Sequence, residues 1–342
     1  MSGVFLHGWG AVSPAGWGAG LMWEALRDGR PIKPHSLPWP GRADAMRACR
    51  VPAPSPRPAI LAHPRLRRSS PLSQFVVAAA MEALGASAGE ASGPSFRLGI
   101  VCSIFTGCIG YSRRFYGEVL RDPSTASPIV FPETVFNAPA SHLGAVLGAR
   151  AANYTLVGDE GGFIHGMALA AQWLDDDLVD GCLVVGAEEA DPITCDAMGR
   201  VAPGVVVAEG AGAVWLGRGP GRVELAAVTS PEVFMDRRGR SVAVARAREQ
   251  WERVVRAGTP ALSSAPCDVR GGWVFPGPVL GEGLGATGAW QVVAAAEALE
   301  AGASTTGEVV VETAGSNEQV IAAVLRAGKP AASGLRGEGV PL

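Results

Sequence analysis

Short runs of β-branched residues alternate with longer stretches rich in alanine and leucine along most of this 342-residue chain. That alternation is typical of layered α/β architectures with partly parallel sheets. Strands are predicted at 98–102, 154–157, 182–185, 223–227, 309–312 and 320–325. Helices are predicted at 18–28, 71–84, 138–147, 161–174 and 242–257, with a last helix that ends near residue 300. A strand, a glycine-rich turn and a buried helix recur in both parts of the chain, which predicts two pseudo-repeated halves.

The composition describes one globular chain without an obvious polyanionic partner. Of its residues 48% are hydrophobic and 18% charged, and the net charge is −3. A balance so close to neutral gives no electrostatic reason to expect nucleic acid or an acidic membrane surface. The basic run at 65–68 is interpreted as a solvated loop. No signal peptide or membrane span is predicted, because a span needs about 20 uninterrupted apolar residues.

The six cysteines are scattered, without a C-x-x-C pair or a spacing typical of metal sites. Cys102 and Cys182 lie in apolar runs and are interpreted as small buried side chains. Cys108 follows Gly107 and could begin a helix, where a thiolate is favoured. Because no histidine or aspartate lies near Cys108 in sequence, the buried interpretation is preferred there too. A reduced, cytoplasmic protein fits this pattern.

Three segments carry unusual residue types. The stretch 31–64 contains so many prolines that we expect a long surface excursion. Glycine-rich turns are predicted at 208–212, before an apolar strand, and at 281–289, before a helix. Neither turn matches a dinucleotide fingerprint or a P-loop, so nucleotide binding is not expected.

The run 153–163 is the segment most informative about function. It predicts a buried strand that turns sharply into a glycine-led helix, with Glu160 at the turn. The macrodipole and free N–H groups of a helix start stabilise a carboxylate by about 0.3–1 kcal/mol when exposed and up to about 2 kcal/mol when partly buried. A structural role is therefore physically adequate for Glu160. A carboxylate at this turn cannot perform thiolate chemistry.

A series of short motifs resembles the β-ketoacyl synthases, the condensing enzymes of fatty-acid and polyketide synthesis. In chain order, the segments that carry the resemblance are 8–16 with 23–26, 70–73, 132–140, 186–189, 208–212, 281–288 and a degraded closing loop at 315–319. They span nearly the whole chain. The resemblance implies a thiolase-like α/β fold layered α-β-α-β-α. Its two halves, 1–207 and 208–342, would form one integrated unit.

The departures from the family pattern concern its catalytic groups. The resemblance implies a nucleophilic cysteine at the turn that holds Glu160, and a histidine at the turn that holds Glu282. A first histidine would be expected around 256–262, and that stretch contains none. All five histidines lie in the N-terminal half: His7, His35, His63, His142 and His165. The resemblance therefore implies a member without condensing activity.

Related subunits called chain-length factors pair with an active ketosynthase, and they typically carry glutamine in place of the cysteine. We therefore expect a chain-length-factor type subunit that forms a heterodimer with an active β-ketoacyl synthase. Its pathway would make a polyketide, an aryl polyene or a specialised fatty acid. The acyl chain would be carried by an acyl carrier protein and bound in the partner, so no cofactor or metal is expected here.

The resemblance also implies where the partner binds. In the thiolase fold the strand before the nucleophile, here 154–157, and the neighbouring helix 138–147 form the two-fold dimer interface. The candidate interface and tunnel residues are Phe131, Phe136, His142 and Tyr154. Phe131 and Phe136 could wall the partner's acyl tunnel or belong to the core of this chain, and the sequence leaves both open.

Two other functions stay open at this point. Glu160 and Glu282, with Asp159 adjacent, could form a carboxylate pair in one pocket. Two close carboxylates raise one another's pKa, and could act as a general acid and base or hold a divalent cation with a third ligand. The chain would then be a stand-alone enzyme that decarboxylates or hydrolyses acyl thioesters. A homodimer that only binds acyl chains is the third possibility.

Overall fold

The computed structural model describes residues 3–39, 45–263, 276–315 and 319–328. In the first half the helices and strands are β1 (Val4–Ser13), β2 (Gly16–Trp17), α1 (Ala19–Asp28), β3 (His35–Leu37), β4 (Met46–Cys49), α2 (Pro71–Leu84), α3 (Ala88–Ala91), β5 (Leu98–Ile104), α4 (Ile109–Arg121), α5 (Ala138–Leu147), β6 (Asn153–Val157), α6 (Glu160–Asp175), β7 (Gly181–Glu188) and α7 (Pro192–Val201). The second half contains β8 (Val207–Ala208), β9 (Gly210–Arg218), β10 (Val223–Val228), β11 (Glu232–Val233), α8 (Arg237–Glu252), β12 (Ala261–Ser263), α9 (Pro276–Leu280), α10 (Thr287–Glu300), β13 (Glu308–Ala314) and β14 (Gln319–Ala327). Cys267 and residues 316–318 of the expected closing loop lie outside the described residues.

One large sheet runs through the molecule. Within the described residues its order is β12-β13-β14-β10-β1-β9-β7-β5-β6, with β11 paired to β14 and β2 to β1. The strands β5, β6 and β7 are parallel neighbours, whereas β9 runs antiparallel to both β1 and β7. β1 joins the two parts of the sheet, because it also makes a short antiparallel pairing with β10.

Helices separate and cover the two parts of this sheet. α2 packs on β1, β9 and β7 from one side, and α5 packs on α2. On the other side α6 and α10 contact both β7 and β13, so they lie between the two parts. α8 covers β14 from the outside. The layers are therefore α-β-α-β-α, and the predicted fold class is confirmed.

The two halves share a core rather than a hinge. The indole Nε1 of Trp290, in α10, donates to the carbonyl oxygens of Val12 at 3.2 Å and Ala211 at 3.1 Å. Trp290 is completely buried. The predicted boundary between the halves 1–207 and 208–342 falls inside the two-residue strand β8. The division into these two halves therefore remains a proposal.

Local sequence signals explain several helix boundaries. The hydroxyl of Ser70 accepts the N–H of Ser73 at 3.1 Å, and Pro71 occupies the first turn of α2. This cap leaves one fewer unpaired N–H at the helix start. α5 ends at Gly148, whose φ of 66° is left-handed and suits glycine. Both helices have the predicted bounds.

The helix expected at 242–257 lies at Arg237–Glu252. Three other expectations for individual elements are wrong. The strand 154–157 is not buried: β6 lies at the edge of the sheet, and the exposed fractions of Tyr154 and Val157 are 55% and 61%. The segment 208–212 is not a turn, because Gly210 and Gly212 lie in β9. A β-carbon at Gly212 would lie 2.7 Å from that of Ala289, so these glycines allow α10 to approach the strand. The expected surface excursion 31–64 includes β3 and β4, which form a small sheet with β8.

The segment Pro71–Ala91 is the one stretch of the described chain long and apolar enough, by length and composition, to cross a membrane. Its main helix, α2, packs against β1 and β9, and nine of its residues are buried. The apolar character of this segment is therefore accounted for by the core.

Candidate functional site

Glu160 is the first residue of α6, at the turn that follows β6. The turn is held by the N–H of Gly158, which donates to the carbonyl oxygen of Ile104 at 3.0 Å. Asp159 is the N-cap, and its carboxylate accepts the N–H of Gly161 at 3.2 Å. Asp159 is 1% exposed and Glu160 9%. Two acidic residues thus begin one buried helix, where free N–H groups favour negative charge.

The turn that carries Glu282 is pressed against this helix start. A β-carbon at Gly288 would lie 2.1 Å from the carbonyl oxygen of Glu160, so position 288 requires glycine. A β-carbon at Gly285 would lie 2.8 Å from the carbonyl oxygen of Ala187. The starts of α6 and α10 therefore meet beside the end of β7.

Glu282 is tied into its own turn. Its Oε1 accepts the N–H of Leu284 and the hydroxyl of Thr287, both at 2.7 Å. Burial raises the pKa of Glu282, these hydrogen bonds lower it, and the charge of Asp159 raises it further. The acidic neighbour that raises the pKa of Glu282 is therefore Asp159. The sequence predicts Glu160 as the partner of Glu282, with Asp159 only adjacent to that pair.

Glu188, at the end of β7, was not predicted as a site residue. It is fully buried, and its carboxylate accepts the N–H groups of Phe105 at 3.0 Å, Thr106 at 3.1 Å and Gly285 at 3.3 Å. The hydroxyl of Thr106 also donates to it. Burial raises the pKa of Glu188 to about 7 despite these donors. One carboxylate therefore connects the loop after β5 to the turn that precedes α10. The sequence does show Glu188 and Glu189 side by side at the end of an apolar strand, and this pattern could have indicated a buried acidic site.

Its neighbour Glu189 belongs to a second buried acidic group. Burial raises the pKa of Glu189 to about 7, the N–H of Gly110 lowers it, and Asp191, Glu188 and Glu209 raise it further. Arg113 pairs with Asp191 at 2.9 Å. Arg50 pairs with Glu209 at 2.7 Å. Among the residues that the structure describes, no group of histidine, cysteine and acidic side chains has the arrangement of a metal site.

The cysteines of the described chain are buried and their thiols are held protonated. Burial raises the pKa of Cys102 and of Cys108 to about 12, and that of Cys195 to about 11. The pKa values of Cys49 and Cys182 are raised for the same reason. Cys108 does precede α4, but its side chain makes no capping hydrogen bond.

Three of the four expected interface residues, Phe131, Phe136 and Tyr154, are exposed. Phe131 and Phe136 are 53% and 43% exposed, so both lie at the surface rather than in the core. The ring of Tyr154 packs edge-on against Trp173 with a centroid distance of 5.1 Å. His142 points inward, and its Nε2 lies 2.6 Å from Oε1 of Glu133.

Among the described residues, the edge strand β6 is paired on one side only, with β5. The N–H of Ile100 donates to the carbonyl oxygen of Ala152, and the N–H of Gly158 to that of Ile104. Backbone groups of a parallel strand alternate in direction along the chain. Residues 154 and 156 therefore face β5, whereas 153, 155 and 157 turn their N–H and C=O groups away from the sheet.

No protein-family model matches the sequence, and no curated protein matches it significantly. Solved structures do match the fold. The structure described as the ishigamide ketosynthase/chain length factor has a TM-score of 0.78 at 19% identity, covering 95% of this chain and 99% of that chain. A β-ketoacyl synthase from Burkholderia phymatum has a TM-score of 0.78 at 15% identity, with coverages of 96% and 100%.

A third match is the ketosynthase ApeO in complex with its chain length factor ApeC, from Xenorhabdus doucetiae. Its TM-score is 0.75 at 14% identity, and the match covers 95% of this chain and 98% of that chain. Likeness at these identities shows the fold. The chain has the thiolase-type fold of the ketosynthases and chain length factors.

Proposed function

We propose that this chain is a non-condensing, ketosynthase-like subunit of the chain-length-factor type, which pairs with an active β-ketoacyl synthase and shapes the acyl chain built there. The observation that carries the proposal is Glu160 at the head of α6. The resemblance places the nucleophilic cysteine of a condensing enzyme at that turn. Condensation begins with acyl transfer to a thiolate, and a glutamate cannot form that thioester.

The cysteines that the structure describes elsewhere in the chain cannot replace that missing nucleophile. Burial raises the pKa of Cys102 and of Cys108 to about 12, so both thiols are protonated at neutral pH. A reactive cysteine needs the opposite environment, which is exposed and electropositive. The chemistry is therefore assigned to the partner.

The open edge of β6 supports pairing. A long exposed edge of unpaired N–H and C=O groups is a template for another strand, and natural proteins normally cover or interrupt it. Tyr154 and Val157 add exposed apolar surface at this edge. A second thiolase-fold subunit, related by a two-fold axis, would extend the sheet from Asn153, Thr155 and Val157.

The helix α4 presents a second exposed apolar surface, next to Phe131. It is strongly amphipathic in sequence, yet none of its residues is buried. Its residues Tyr116 and Leu120 are 63% and 85% exposed, and the ring of Phe115 lies 5.3 Å from that of Phe131. An amphipathic helix gains most of its stability by burying its apolar face. A partner subunit that covers this face would provide that burial.

The exposed aromatics Phe131 and Phe136 are assigned the role of contacting the growing chain in the partner. That chain would be carried by an acyl carrier protein in polyketide, aryl-polyene or specialised fatty-acid synthesis. We place the complex in the cytoplasm. The subunit needs no cofactor of its own for this role.

The test is co-expression with an active β-ketoacyl synthase, whose gene we expect next to this one, followed by assay of the purified complex with malonyl-loaded carrier protein. Phe131→Ala and Phe136→Ala are expected to change the product lengths, because each removes an aromatic wall. Met235→Ala is the matched control, since Met235 is 79% exposed and precedes α8, which packs on β14. An unchanged product distribution in both phenylalanine variants contradicts the role in chain length.

One observation favours a second candidate. Asp159 raises the pKa of buried Glu282, so two carboxylates interact at the helix start. Such a pair can divide the roles of general acid and general base between its members. A stand-alone activity on acyl thioesters would then be lost in Glu282→Gln, which a non-catalytic subunit would tolerate.

A further inference from the structure

The carboxylate of Glu133 connects the aromatic surface segment 131–136 to two helices. Glu133 ends a 3₁₀ turn, Phe131–Glu133, and is 8% exposed. Its Oε2 accepts the N–H of Ser70 at 3.1 Å, and its Oε1 lies 2.6 Å from Nε2 of His142. Ser70 caps α2 and His142 belongs to α5. One buried side chain therefore ties the segment to both helices.

The contact between Glu133 and His142 is shielded from water. The side chains of Glu133 and His142 are 10% and 13% exposed. Burial raises the pKa of Glu133, but the hydrogen bonds from His142 and from the N–H of Ser70 outweigh it and hold the pKa below its usual range. Glu133 is therefore ionised at neutral pH. Hydrogen bonds to a charged acceptor are shorter and stronger than neutral ones.

The aromatic residues on this segment make looser contacts. The ring of Phe131 lies against the partly exposed ring of Phe115, at 5.3 Å between centroids. The ring of Phe136 lies over Gly107, where a β-carbon would meet it at 3.0 Å. The hydroxyl of Ser112 donates to the carbonyl oxygen of Thr134 at 3.2 Å. The buried charged anchor thus lies between two exposed aromatic side chains.

We infer that Glu133 and His142 are positioning residues, which fix the segment 131–136 so that Phe131 and Phe136 meet the partner in one orientation. This inference rests on the proposed function for its effect on products. It assigns no chemical step to either residue. Loss of the anchor removes neither Phe131 nor Phe136, but it allows the segment that carries them to sample several orientations.

The experiment compares His142→Ala, His142→Gln and Glu133→Gln with the wild-type chain. A glutamine at 142 keeps an N–H donor near the position of Nε2, so it serves as the rescuing variant. His35→Gln is the matched control, because His35 is an exposed histidine in β3. Hydrogen exchange of residues 129–137 is measured in the isolated chain, and product lengths are measured in the co-purified ketosynthase complex with malonyl-loaded carrier protein.

For His142→Ala we expect exchange in 129–137 to rise by about fivefold or more, which corresponds to a loss of about 1 kcal/mol of local stability. Exchange in α2 should change little. The product distribution should broaden while the complex still forms, and His142→Gln should restore both measurements. Glu133→Gln should resemble His142→Ala, because the amide replaces one of the two accepting oxygens with an NH2 group that cannot accept a hydrogen bond.

Unchanged exchange in His142→Ala overturns the inference, whether or not a partner is found. So does an unchanged product distribution in a complex whose products do shift with Phe131→Ala. In that second case the proposed function stands and only the anchor is refuted. If no complex forms at all, the proposed function fails, and the exchange measurement alone decides whether Glu133 and His142 hold the segment.

Discussion

Gly288 packs against Glu160 so closely that a β-carbon at position 288 would lie 2.1 Å from the carbonyl oxygen of Glu160. This contact joins the start of α10 to the start of α6, and hence the second half of the chain to the first. Asp159 caps α6, Glu282 precedes α10, and the charge of Asp159 raises the pKa of Glu282. The candidate site exists only where these two helix starts meet.

Gly288→Ala is expected to destabilise the chain by about 1–3 kcal/mol, the usual cost of overpacking a rigid core. Gly20→Ala is the matched control, since Gly20 lies in α1 with no atom within 4 Å of an added β-carbon. Alanine at an open helical position stabilises by about 0.5–1 kcal/mol. Urea unfolding of both variants measures the difference. Equal stabilities would contradict the close contact.

Glu160→Gln is expected to leave product formation by the complex within about twofold of wild type, because an anion at a helix start contributes only about 0.3–2 kcal/mol to stability. The isolated chain should consume neither malonyl nor acyl thioesters. The measurement is turnover of malonyl thioester by the purified chain, with and without the partner. Turnover by the chain alone that disappears in Glu160→Gln would establish a stand-alone enzyme.

Glu189→Gln is expected to stabilise the chain at pH 8 and to have little effect near pH 4. Burial raises the pKa of Glu189 from 4.5 to about 7, so between these values the folded chain holds a proton that the unfolded chain has lost. Stability then falls as the pH rises through this window. The gain at pH 8 should reach up to about 3 kcal/mol, at about 1.4 kcal/mol per pKa unit.

Urea unfolding of Glu189→Gln between pH 4 and pH 8 tests this dependence. Glu249→Gln, at an exposed position of α8, serves as the control. The stability of Glu189→Gln should vary less with pH than that of the wild type. Parallel pH curves for the two proteins would mean that Glu189 ionises normally in the folded chain.

Thr155→Pro is expected to abolish pairing while the chain itself stays folded. The N–H of Thr155 faces away from β5, and proline is tolerated at an edge position whose N–H faces solvent. The paired control is Leu156→Pro, which removes an N–H directed at β5 and should destabilise the chain. Size-exclusion chromatography with light scattering measures the mass of each variant. An intact complex in Thr155→Pro would place the interface elsewhere.

The sequence predicts correctly those features that are set by residues adjacent in the chain. The start of α2 followed from Ser70 and Pro71, and the length of α5 followed from its composition. The turn into α6 was located with Glu160 at its start, because the alternation of strand, glycine and helix is local.

Features set by distant contacts were missed. Gly212 was expected in a turn, since nothing local indicates that Ala289 would approach its strand. The edge position of β6 depends on which strands pair, and the pairing of Asp159 with Glu282 depends on how two distant turns meet. The sequence predicts no site role for Glu188, which lies in the motif 186–189. Its N–H donors Phe105, Thr106 and Gly285 come from separate segments, so nothing near Glu188 in the chain indicates them.

The central claim is that this chain is the non-condensing member of a heterodimer. Native mass spectrometry of the chain co-expressed with an active β-ketoacyl synthase, expected to be encoded next to it, tests this pairing most directly. The account predicts a one-to-one complex that dissociates in Thr155→Pro and condenses malonyl units through the partner's cysteine. Recovery of this chain solely as a homodimer, beside a ketosynthase that is fully active without it, would contradict the account.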